Sequence, residues 1–142
     1  MRAARDAEDA LSQEYASLVE AVRLEHIQVV DDQIQSKVLK SRLVSEINNE
    51  CDKVLRVLEA AQTLGEISAR CVDKVISTGE KLSCRLMAAY IQDRGVDSQY
   101  VDLAEVIDFP ISNQGLDQDF YNNLAAALGR KIRACENKVP VV

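Results

Sequence analysis

The sequence predicts a mainly α protein, a long helical hairpin followed by an incomplete α/β layer with two short parallel strands. Three observations predict it. No glycine or proline interrupts residues 1–64, so nothing in that span resists long helices. Apolar residues over the same span recur at three- and four-residue steps, the period of a helix that buries one face. After Gly95 the period shortens toward two, and helix, strand, helix, strand follow in turn, which is the rhythm of a parallel α/β layer.

The first helix carries Tyr15, Leu18, Val22, Ile27, Val30 and Ile34 on its apolar face. The second carries Leu43, Ile47, Cys51, Val54, Leu58 and Ala61, with Leu39, Val44 and Leu55 widening the stripe. The two fold back on each other, with the turn between Asp31 and Lys40, where no strong breaker marks it. Gly65 suits the position just past a helix end. A short helix is expected from about Glu66 to Ser77, with Ile67, Cys71, Val72 and Val75 on one side. Thr78 then serves as N-cap of a further helix. Leu82, Leu86, Met87, Tyr90 and Ile91 form its apolar face, while Cys84, Ala88 and Ala89 keep the other faces small. That pattern describes a buried helix, which Gly95 ends. Glu80 stands in its first turn, where a carboxylate complements the helix dipole by about 0.3–1 kcal/mol.

Residues 97–103 read as a short strand and 104–115 as a loop or one helical turn, with Pro110, Asn113 and Gly115 as breakers. Asp117 opens an amphipathic helix with Phe120, Leu124, Leu128 and Ile132 facing inward, and residues 137–142 start a last strand. The chain divides into a helical arm, residues 1–64, and a partial α/β segment, residues 65–142. Two short parallel strands make a poor sheet alone, so the second part is expected to belong to a larger α/β domain.

Seventeen basic against 23 acidic residues leave a net charge of −6, which argues against nucleic acid as a partner. Cys51, Cys71, Cys84 and Cys135 form no Cys-x-x-Cys pair and His26 is the single histidine, so no metal site is expected. Cys51, Cys71 and Cys84 read as small core residues, a usage that suits a reducing compartment. No apolar run is long enough for a membrane span, and a cytoplasmic location without membrane association is expected. His26 reads as a surface or half-buried side chain, Asp31 and Asp32 as a solvated turn, and Tyr90 and Tyr100 as core. No residue stands out as catalytic.

The stretch VDKVISTGEKLSCRLMAAYIQDRGVDSQYVDL, residues 72–103, resembles the central segment of fungal-type aspartokinases, members of the amino-acid kinase family. The likeness runs on through DFYNNLAAALGRKIRA and KVPVV. Gly-Glu-Lys-Leu-Ser at 79–83 carries most of its specificity. It is strong from about Leu64 onward and weaker over residues 1–63, where the family carries a variable helical arm. The resemblance implies a partial amino-acid kinase fold. It also implies descent from an enzyme that transfers the γ-phosphoryl group of ATP, with Mg²⁺, to the side-chain carboxylate of L-aspartate. Position 80 matches the family's substrate-contacting glutamate at a helix N-terminus. Glu80 is therefore the implied substrate-binding residue, with Thr78, Gly79 and Ser83 as neighbours that shape the pocket.

The departures are as informative. The family's phosphate-binding loop is of the Lys-Phe-Gly-Gly type, and the glycines here stand singly at 65, 79, 95, 115 and 129. No cofactor is expected in this chain, and the chain alone is not expected to be a competent kinase. Three readings stay open: a segment of an aspartokinase, a free-standing homologue that binds or oligomerises, and a small enzyme that reuses the former pocket without ATP. The partners considered are a second copy of the chain, a full-length aspartokinase, and a small-molecule ligand near Glu80.

Overall fold

A computed structural model describes residues 14–104, 106–109 and 116–142. Residues 1–13 and the loop breakers Pro110, Asn113 and Gly115 lie outside the described residues. In chain order the elements are α1 (Glu14–Gln33), α2 (Lys37–Leu64), α3 (Ala69–Asp93), β1 (Ser98–Tyr100), α4 (Gln118–Arg133) and β2 (Val139–Val141). The mainly α class with a partial parallel α/β layer is what the sequence predicts.

Helices α1 and α2 form the hairpin. Their antiparallel pairing is fixed by Tyr15, whose hydroxyl donates to Gln62 at 3.1 Å, and by Arg23, which donates to Asn48 at 3.0 Å and to Asp52 at 2.7 Å. Val30, Ile34, Leu43, Ile47, Leu58 and Leu82 are fully buried where α1, α2 and α3 meet. Each such side chain stabilises the fold by roughly 1.5–3 kcal/mol through the area it removes from water.

The turn falls at residues 34–36, inside the predicted window. It needs no glycine or proline because its free backbone donors find acceptors elsewhere. The Ser36 hydroxyl caps α2 by accepting from Leu39 N–H. The Asp93 carboxylate, at the far end of α3, accepts from Gln35 N–H at 2.8 Å and Ser36 N–H at 2.9 Å. Those bonds hold its carboxyl below the usual range for aspartate. Gly65 and Gly95 end α2 and α3 as predicted, in the left-handed region at φ 64° and 83°. At each end the next residue's N–H reaches back to Ala61 or Ile91, which satisfies a terminal carbonyl.

The expected break at residues 77–78 is absent. One helix runs from Ala69 to Asp93, capped by Ser68, whose hydroxyl accepts from Cys71 N–H at 3.2 Å. Thr78 is therefore not an N-cap. It is buried in the middle of α3, and its hydroxyl donates to the Lys74 carbonyl at 2.8 Å. The reason is the pattern itself: Cys71, Thr78, Leu82 and Ala89 are buried along one continuous face, and a break would expose it. That burial outweighs the roughly 1 kcal/mol that Gly79 costs inside a helix.

Helix α3 packs on α2 along one side and on both strands along another. Its third side is open, so Met87, placed on the apolar face by sequence, is 51% exposed. Cys84 is half-buried, not a core residue, because it faces the strand ends. β1 and β2 pair in parallel, with Ser98 opposite Val139 and Tyr100 opposite Val141. Helix α4 connects them. Asp117 caps it by accepting from Phe120 N–H at 2.8 Å, and Phe120 and Ala127 are buried. Ile132, expected to face inward, is exposed. Among the described residues no helix is long and apolar enough to cross a membrane.

Candidate functional site

Beyond the carboxyl ends of β1 and β2 lies a groove of about 320 Å³. Its walls come from the strand-facing side of α3, including Glu80, Lys81 and Cys84, from Tyr100 and the four residues after it, and from Val142. In open α/β sheets this is the end at which ligands bind.

The charges in the groove are ordered. Lys81 reaches from α3 across to the residue that follows Val101, and its Nζ lies 2.8 Å from Asp102 Oδ2. The other carboxylate oxygen of Asp102 accepts from Ala104 N–H at 2.9 Å. Burial pushes the Asp102 carboxyl upward, but Lys81, the Ala104 N–H and the Tyr100 hydroxyl outweigh it and hold the group below the usual carboxylate range. Burial and the neighbouring Asp102 charge push the Tyr100 phenol up to about 12, against the opposing charge of Arg85. The Arg85 guanidinium sits 4.6 Å from the Tyr100 ring centroid. The Cys84 thiol donates to the Val142 carbonyl at 3.2 Å, tying α3 to the end of β2.

Of the four residues singled out by the resemblance, Glu80 alone lines this groove. It is exposed, and among the described residues its carboxylate has no partner. It is eleven positions into α3, not at a helix N-terminus, so the dipole argument for it does not apply. Thr78 and Gly79 point to the opposite side of α3 and line an apolar cleft of about 400 Å³ against Leu18 and Val22 of α1. Ser83 is exposed, and its hydroxyl donates to the Glu80 carbonyl at 2.9 Å.

Sequence reasoning missed Lys81, Asp102 and Arg85. Lys81 and Arg85 are four residues apart on α3, a spacing that places them on one side of the helix. Arg85 instead bridges the helices: Nη1 is 3.0 Å from Glu46 and Nη2 is 3.6 Å from the buried Glu50. Tyr100, read as core, is only half-buried and faces the groove. His26 is half-buried, with Nδ1 2.8 Å from the Val22 carbonyl.

A nucleotide triphosphate does not fit these residues. Gly65 and Gly95 end helices, Gly79 and Gly129 lie inside them, and no two glycines of the sequence are neighbours, so the described residues build no glycine-rich loop of close-set backbone amides. Among the described residues no three His, Cys, Asp or Glu side chains are grouped to hold a metal ion.

No family profile matches the chain, and no solved structure matches it. Curated sequences do. It is 39% identical over 125 residues to an aspartokinase of Schizosaccharomyces pombe, covering 88% of this chain and 24% of that protein. It is 40% identical over 132 residues to an aspartokinase of Saccharomyces cerevisiae, covering 90% of this chain and 25% of that protein. It is 33% identical over 141 residues to the aspartate kinase FUB3 of Gibberella fujikuroi, covering 96% of this chain and 27% of that protein. The chain thus spans about a quarter of the length of these relatives. Likeness of this extent, running through both the hairpin and the strand-forming part, makes the chain similar over most of its length to one segment, about a quarter, of the fungal aspartokinases.

Proposed function

We propose that the chain is the substrate-facing helical segment of an aspartokinase, contributing Glu80 to the binding of L-aspartate and not phosphorylating it alone. The observation that carries this reading is the position of Glu80. The glutamate of the Gly-Glu-Lys-Leu-Ser run is the unpaired carboxylate in the groove at the strand carboxyl ends. An amino acid presents an ammonium group, and a partnerless carboxylate beside a half-enclosed wall is its complement. The absence of a phosphate-cradling loop from this sequence supports the second half of the proposal, since phosphoryl transfer depends on positioning and charge neutralisation.

The test is a titration of the nitrogen-labelled chain with L-aspartate, followed by NMR, beside a coupled ADP-release assay. Amide shifts confined to residues 77–84 and 100–104, lost in Glu80→Gln, with no ADP release above background, are the expected result. Turnover by the chain alone would refute the second half, and an aspartate response indifferent to Glu80 would refute the first. A second reading, association with another copy or with a full-length aspartokinase, is favoured by the small sheet. Among the described residues each strand has one neighbour, leaving an edge on either side. Light scattering over a concentration series tests it, and a constant monomer mass with no binding to the full-length enzyme would remove it.

A further inference from the structure

Among the described residues three charged side chains line the groove, Glu80, Lys81 and Asp102, and they are not equivalent. Lys81 is the only cation among them. Its side chain is 15% exposed and its ammonium is committed to Asp102 at 2.8 Å. Asp102 is itself held in place by the Ala104 N–H. Glu80 cannot share that ammonium easily, because consecutive helical residues point about 100° apart. Of these three side-chain charges, the one left available is the Glu80 carboxylate.

We infer that Asp102 is a specificity-determining residue of the groove: by holding the Lys81 ammonium it withholds that cation from ligands, so that the groove selects a ligand's ammonium end and rejects ligands that carry only carboxylates. The inference rests on the reading that Glu80 faces a ligand. It goes beyond that reading by naming what the neighbouring charge pair does. The side-chain charges of Glu80, Asp102 and Lys81 sum to −1, and neutralising Asp102 would free the lysine and bring that sum to zero. The Lys81 side chain is 15% and the Asp102 side chain 43% exposed, so the pair is partly sheltered from water, and a charge-assisted bond of this length is stronger than a neutral one.

The experiment uses matched probes on the whole chain. Aspartic acid diamide keeps the ammonium and has no carboxylate, and succinate keeps two carboxylates and has no ammonium. Binding is read from the groove amides by NMR, and the state of Lys81 from its own side-chain ammonium resonance. The wild type should respond to the diamide and not to succinate, with the Lys81 resonance shielded from exchange. Asp102→Asn should expose that resonance and shift the diamide-to-succinate affinity ratio toward succinate by about tenfold or more. Adding Lys81→Met to Asp102→Asn should cancel the gain in succinate binding, which a merely structural role for Asp102 would not do. Equal binding of both probes by the wild type, or an unchanged ratio in folded Asp102→Asn, overturns the inference. If Asp102→Asn does not fold, Lys81→Met alone decides: retained diamide binding supports the inference, and lost binding overturns it. If the diamide binds through Glu80 while L-aspartate does not, the aspartate reading fails and the role of Asp102 stands. If L-aspartate binds through Glu80 but the probe ratio ignores Asp102, the inference alone fails.

Discussion

Replacing Arg85 with methionine should destabilise the protein, and most of that loss should be recoverable at Glu50. Arg85 projects from α3 between the hairpin and the sheet. Its guanidinium lies 3.0 Å from Glu46 and 3.6 Å from Glu50, and it covers the Tyr100 ring. The Glu50 side chain is 6% exposed, so it depends on its partners for solvation. Removing one partner of a buried ion pair costs about 3–5 kcal/mol when the other charge is stranded. Two features reduce that figure here. Lys53 remains 2.9 Å from Glu50, so the carboxylate keeps one cation. Arg85 Nε is itself buried without a partner, a penalty of about 1–3 kcal/mol that methionine removes. The net cost of Arg85→Met should therefore be about 1–3 kcal/mol. Urea unfolding followed by circular dichroism measures it, with an unchanged slope to show that the folded and unfolded states are comparable. Adding Glu50→Gln to Arg85→Met should restore more than half of the loss, because the stranded charge is then gone. A cost below about 0.5 kcal/mol, the range of ordinary surface substitutions, would refute the reasoning. So would a double variant no more stable than Arg85→Met.

Three further outcomes are expected. Gly79→Ala should stabilise the protein by roughly 0.5–1 kcal/mol in the same urea assay, since Gly79 is helical and an added Cβ would meet nothing within 4 Å; no gain would mean that α3 breaks at this point after all. Asp93 and Asp102 have depressed folded values, so their contribution is complete above the unfolded aspartate value near 4 and is lost as pH falls through the folded ones; the acid limb of a stability–pH curve should accordingly be shallower in Asp93→Asn and in Asp102→Asn than in the wild type. Tyr100 has a raised value, about 12, so its contribution is complete below the unfolded tyrosine value near 10 and is lost as pH rises toward 12; tyrosinate absorbance should show one late-ionising tyrosine that is missing from Tyr100→Phe.

The hairpin was legible because its signal is long. Thirty or more uninterrupted residues with a regular apolar stripe leave few alternatives, and Ile47, Cys51, Val54, Leu58 and Ala61 are buried where the period puts them. Gly65, Gly95 and Asp117 were legible because each has one common structural use, at a helix end or a cap. The join at Thr78-Gly79 was misread because local chemistry and tertiary burial disagree there. A threonine followed by glycine is a reasonable helix start in isolation, and only the α2 surface against which Cys71, Thr78 and Leu82 pack makes one helix of it. Asp93 and Asp102 were invisible for a related reason. Each acts on a partner 21 to 58 residues away in sequence, and no local pattern encodes such a pairing.

Moving Glu80 from a helix start to the middle of α3 changes what can account for its chemistry. A carboxylate in a first turn is balanced by free N–H groups and needs no other explanation. In the middle of a helix those groups are used up, and the nearest compensation is a side chain. The adjacent residue is a lysine, yet its ammonium is turned away to Asp102, on the segment that leaves β1. The bland reading of Glu80 as a helix-end charge thereby loses its physical basis. What replaces it is an arrangement in which one helix buries a threonine against the hairpin, anchors a lysine on the sheet, and leaves the intervening glutamate unpaired at the strand ends. All three placements are set by the rotation of a single continuous helix. A substitution that shifts the register of α3 around Gly79 should therefore alter the hairpin core and the groove together. One that respects the register, such as Gly79→Ala, should stabilise the first and leave the second in place.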